Sequence, residues 1–200
     1  MLPLVLATLT LVLTDVQRLP LDRRVLRTAT AAALAGSGVE LEWDSEAPGQ
    51  SRPLRDEEAR VILTSSHPSG QGNRRVLGAV LREGGPVRAI WIYVDDVRLV
   101  VQGTTPFRRL SLTHDVSVAV GRVLAHEVAH LLAPRHPHAS EGLMAGEVNR
   151  KVLAGTLPLD SECLAAIRVS LSAPAASSPP LGPRSPITAP ARRKPGTRAP

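Results

Sequence analysis

Residues 126–144 read HEVAHLLAPRHPHASEGLM, from His126 to Met144. His126 and His130 are four apart, so on a helix they stand one above the other on a single face. The surrounding chain is helical in pattern. Thr113 can cap a helix running from His114 to Ala133, with Val116, Val120, Val123, Leu124, Leu131 and Leu132 as its buried stripe, and Pro134 ends it. Such a pair of histidines flanking a glutamate arises by chance in about one chain of this length in two hundred. The amphipathic helix, its abrupt stop and the histidines that follow raise the pattern above that background.

Two imidazoles on one helix face can reach a single tetrahedral ion, and the chemistry of the donors points to zinc. Glu127, one residue past the first histidine, is turned too far for good ligation. It is close enough to take a proton from a metal-bound water. This combination is what hydrolysis of a stable bond requires. A third protein ligand is needed, and the loop offers His136 and His138. Pro137 between them keeps both from pointing the same way, so one of the two is expected to ligate.

The run from His126 to His136, with Met144 downstream, resembles the metzincin metallopeptidases, whose pattern is HExxHxxGxxH followed by a methionine in a tight turn. By that spacing His136 is the third ligand. The glycine of the pattern is Ala133 here, followed by Pro134, so the turn must be made differently. The whole run also resembles bacterial metzincin-like proteins with HExxHLLL, a loop, and HSxxGLM. In that register His138 is the third ligand and Gly142-Leu143-Met144 falls in place without gaps, while Ala139 replaces a serine; His138 is preferred and His136 is the alternative. The resemblance implies a zinc-dependent metallopeptidase acting on peptide or protein substrates, with Glu127 as general base and Met144 as a floor beneath the metal. It also implies a substrate-pairing edge strand, placed at Ile90 to Val94. Tyr93 there reads as a core or rim aromatic. A thermolysin-like site fits less well, because neither Glu147 nor Glu162 lies in a matching motif.

Outward from the motif, Leu19 to Ala35 is Ala-, Leu- and Arg-rich at helical spacing and stops at Gly36 and Gly38. Val39–Trp43 and Arg60–Thr64 read as strands, and residues 76–82 and 87–94 as a hairpin through Gly84-Gly85-Pro86. A last helix is expected over Asp160–Leu171. The expected fold class is α+β, a small mixed β-sheet packed on two long helices, one of them carrying the HExxH motif.

The chain has 200 residues and a net charge of +6, but five basic residues and no acid lie in 171–200. The remainder is close to neutral, which excludes an electrostatic footprint for nucleic acid. One cysteine, Cys163, excludes an intrachain disulfide and any multi-cysteine metal site. Residues 1–171 are expected to form the metallopeptidase domain, as a monomer. Residues 172–200, where eight of the 18 prolines lie, are expected to be a disordered Pro/Ala/Arg-rich tail. The apolar start, MLPLVLATLTLVLT, is too short to span a bilayer. It lacks a basic lead and a small-x-small cleavage site, so residues 1–15 read as a first strand in preference to a signal segment. Secretion or a cell-envelope location would follow from an export signal, and a cytoplasmic one without it. Two other classes compete with the hydrolase: a zinc-binding protein without turnover, and an interaction module working through its tail. His67 and His114 read as solvated.

Overall fold

The computed structural model describes residues 7–47, 49–66, 76–83, 87–102, 109–156 and 158–173. Its elements in chain order are β1 (Ala7–Asp15), α1 (Arg23–Ala33), β2 (Val39–Ser45), β3 (Glu58–Thr64), β4 (Gly78–Glu83), β5 (Val87–Tyr93), α2 (Val94–Gln102), α3 (Arg109–Leu132), α4 (Arg150–Leu153) and α5 (Ser161–Ser172). The fold is α+β. One five-stranded sheet runs β2-β1-β3-β5-β4. Its first four strands are parallel, and β4 closes the far edge antiparallel to β5, with Gly78 opposite Ile92 and Glu83 opposite Val87.

Leu9, Leu11, Val12 and Leu13 of β1 are buried, as expected of a central parallel strand covered on both faces. β2 at the near edge keeps one side wet, its glutamates Glu40 and Glu42 exposed. The apolar start is therefore a strand over its described part, Ala7–Asp15. Residues 1–6 and 174–200, the latter most of the expected tail, lie outside the described residues.

Helix α3 is the hub, touching α1, α2, α4, α5, β4 and β5. From Ala119 to Ala129 it is buried without a break, which is the mark of a helix enclosed on all sides rather than laid on a surface. It begins at Arg109, ahead of the expected cap at Thr113. Its crossing with α1 is made at Gly121, where an added Cβ would come 2.5 Å from the Leu26 carbonyl oxygen and 2.9 Å from Ala29 Cβ. Thr30, fully buried at that crossing, has its hydroxyl 2.9 Å from the Leu26 carbonyl and 3.1 Å from the Gly121 carbonyl.

Helix α1 starts at Asp22, whose carboxylate accepts the backbone N–H of Arg24 and Val25. Helix α5 starts at Asp160, which accepts from Cys163 N–H. Both are the side-chain oxygen caps that orphaned first-turn donors require. Cys163 itself is buried, and burial pushes its thiol up to about 11. Strand β5 is flanked by β3 and β4 on either side, so the edge beside α3 is β4 and not the expected Ile90–Val94. Val94 already belongs to α2. No described helix is long and apolar enough to cross a membrane.

Candidate metal centre

The last two turns of α3 carry His126, Glu127 and His130. The chain leaves α3 through a turn in which His136 N–H donates to the Ala133 carbonyl at 3.0 Å. Pro134 follows Ala133 there, its fixed φ suited to the second position of such a turn. Ala133 does not adopt a positive φ, so the chain turns without the glycine of the metzincin pattern. A second turn follows. Gly142 has φ +79°, Ala145 N–H donates to the Gly142 carbonyl, and Ala139 N–H donates to the Met144 carbonyl at 2.9 Å. That closure folds the loop back on itself, and His138 comes to lie beside His130 at the end of α3.

The result is a cluster of three imidazoles. The Nε2 of His130 lies 3.0 Å from the Nε2 of His126 and 3.0 Å from that of His138. The ligand atoms of all three lie within 4.8 Å of one another, a group able to hold one metal ion. His136 is outside this group. Nδ1–H of His126 donates to the Leu143 carbonyl at 2.7 Å, which fixes its tautomer and leaves Nε2 free as a donor to a metal. Burial lowers the pKa of His126 and the neighbouring His138 lowers it further, against the raising effect of the Leu143 hydrogen bond. A neutral imidazole is the ligating form.

Glu127 is 7% exposed, and burial raises its carboxyl to about 7. It faces β4, where an added Cβ on Gly78 would come 2.7 Å from Oε1. Leu77, Gly78, Val123, His126, Glu127 and His138 help line a cleft of about 480 Å³. Tyr93 is buried, its N–H donating to the Leu77 carbonyl at 3.0 Å. Desolvation and the Glu127 charge raise its pKa, in line with the core aromatic expected of it. Met144 is fully buried, between Leu143 and Ala145, which both line the cleft.

Glu147 lines the cleft but is not among the three converging side chains. Glu162 is exposed on the first turn of α5. His114 is exposed on α3, 3.6 Å from Asp115. His67 lies outside the described residues. Two contributors escaped the sequence reading. The Leu143 carbonyl is main chain and leaves no residue-type signal. Gly78 did leave one, a glycine inside a strand pattern, which marks close approach of other atoms.

No protein-family profile matches the sequence, and no curated protein resembles it at a significant level. Solved structures do share its fold. An archaemetzincin from Methanopyrus kandleri aligns with TM-score 0.52 and 15% identity, over 82% of this chain and 95% of that one. A zinc-dependent peptidase from Methanocorpusculum labreanum aligns with TM-score 0.51 and 11% identity, over 79% of this chain and 99% of that one. Metalloproteinase-II from Bacteroides fragilis aligns with TM-score 0.51 and 13% identity, over 84% of this chain and 54% of its own length. The α+β architecture built around α3 is thus the fold of solved zinc peptidase structures.

Proposed function

We propose that the chain is a metzincin-like zinc peptidase, with His126, His130 and His138 as metal ligands and Glu127 as general base. The observation that carries this reading is the convergence of three imidazole nitrogens beside one buried carboxylate. Zinc–nitrogen bonds of 2.0–2.1 Å in tetrahedral geometry set ligand nitrogens about 3.3 Å apart, and the two contacts of 3.0 Å at His130 are close to that spacing. The donor set suits zinc, with three imidazoles, no thiolate, and a position left for water. His136, the alternative third ligand, lacks that convergence.

When bound, zinc supplies a Lewis acid that polarises the scissile carbonyl and brings its water to a pKa of about 7. Glu127 would take up the proton released as water attacks the carbonyl and return it to the leaving amine. Burial raises the Glu127 carboxyl to about 7, and the charge of a bound cation would draw it back toward the ionised form that a general base needs. The Leu143 carbonyl keeps His126 oriented through the cycle. Met144 fills the space beneath the ligands and keeps water from that side. Strand β4 presents the sheet edge nearest Glu127, and extended substrate pairs with it through main-chain hydrogen bonds.

The test is cleavage of an unfolded protein substrate by zinc-loaded wild type and Glu127→Gln. The variant is expected to keep its zinc and lose about 10²–10⁴-fold in kcat. Equal turnover in both proteins, at equal zinc content, would overturn the assignment. Zinc binding by both with turnover by neither would leave a metal-binding protein in place of a peptidase.

A further inference from the structure

Arg122 lies on α3 one turn ahead of His126, inside the enclosed stretch, and is 4% exposed. Its Nε–H donates to the Val152 carbonyl at 3.0 Å. Among the described residues its terminal nitrogens have no hydrogen-bond partner and no carboxylate pairs with it. Burial pulls its pKa below the ordinary value. A guanidinium stays charged in a protein, and a buried charge without a partner is costly. The open end of the guanidinium is the part left to solvent, and an anion placed there would offset the cost of enclosing the rest of the side chain.

The side chain lines a groove of about 580 Å³ between α1 and α3. This groove shares no lining residue with the metal cleft. Val25, Ala29 and Ala32 of α1 and Val118 of α3 give it apolar walls. Arg24 and His114 add basic groups, and Asp22 is the one acid that lines it. One Asp22 oxygen, Oδ1, already accepts the N–H groups of Arg24 and Val25. One acid against two arginines, with apolar walls, suits a single negative charge on an apolar body and disfavours a dianion.

We propose that this groove is a binding site for a small apolar monocarboxylate. The guanidinium of Arg122 takes the carboxylate, which is the planar, two-pronged partner it matches best, and the apolar part lies along Val25, Ala29, Ala32 and Val118. The site is independent of the peptidase reading, since neither zinc nor Glu127 takes part.

The test is titration of the full chain with hexanoate, followed by amide NMR shifts, with hexanol and inorganic phosphate as parallel probes. Saturable hexanoate shifts are expected at Ala29, Val118 and Gly155, with neither hexanol nor phosphate reproducing them. Arg122→Gln is expected to weaken hexanoate about tenfold or more. Ala32→Phe, which fills the groove from an exposed position and leaves Arg122 in place, is expected to abolish binding at unchanged melting temperature, and it serves should Arg122→Gln fail to fold. Hexanoate shifts scattered over the surface, equal binding of hexanol, tighter binding of phosphate, or unchanged affinity in Ala32→Phe would each overturn the proposal.

Discussion

A Cβ on Gly78 would meet three atoms of Glu127, Oε1 at 2.7 Å, Cγ at 2.8 Å and Cδ at 3.0 Å. Real Cβ atoms do not come that close, so Gly78→Ala must push the carboxylate away from the imidazoles or bend β4. A displacement of about 1 Å at a reacting group costs about 10²-fold in rate. Gly78→Ala is therefore expected to lower kcat about 10²-fold in a peptide-cleavage assay while zinc content stays at wild-type level, and full activity would contradict this packing. The sequence made the ligand helix legible at this scale because three polar side chains interrupt an otherwise apolar period. It also set His138 ahead of His136 through a gapless register. The partner of His126 was not legible. Its hydrogen bond goes to a main-chain oxygen, and which carbonyl arrives there depends on how residues 133–145 turn.

Between elements, α1 and α3 approach closely at Gly121, with the Leu26 carbonyl 2.5 Å from where a Cβ would be. Gly121→Ala drives a methyl group into main chain, which cannot give way as a side-chain end could. The expected cost is about 1–3 kcal/mol, read as a lower urea midpoint at unchanged m-value. A midpoint equal to wild type would mean that the helices do not cross here. Helix α2 was missed in the sequence for a physical reason. Its Val-rich run, VDDVRLVVQ, continues a strand pattern, and β-branched residues speak for strand by propensity. Its helical signal was the spacing of Val94, Val97 and Val101, all buried, with Asp95 and Asp96 in the first turn. The hairpin of β4 and β5 was legible because alternating apolar runs flank Gly84-Gly85-Pro86. Which of its strands forms the sheet edge was not, since strand order follows from long-range pairing.

At the scale of the molecule, the connection from β2 to β3 is pinned by charge. Arg52 grips Glu58 with both terminal nitrogens, at 2.6 and 2.9 Å, and reaches Asp44 at 3.2 Å. The Arg52 hydrogen bond and the backbone N–H of Arg55 hold the Glu58 carboxyl down at about 2, against an ordinary value of 4.5. A depressed folded-state pKa stabilises above the unfolded value and loses that contribution as pH falls. The melting-temperature gap between wild type and Glu58→Gln is thus expected to be full above about pH 4.5 and to close toward pH 2; a gap constant over that range would contradict the pairing. Deleting residues 174–200 is expected to leave melting temperature and zinc content unchanged, because their Pro-, Ala- and Arg-rich composition offers little to a core.

Elemental analysis of purified protein decides whether one zinc ion is held by His126, His130 and His138. Wild type and His136→Ala are each predicted to carry about one zinc per chain, and His138→Ala to lose it while remaining folded. Zinc retained in His138→Ala, or a folded wild type that takes up none, would rule out this three-histidine site.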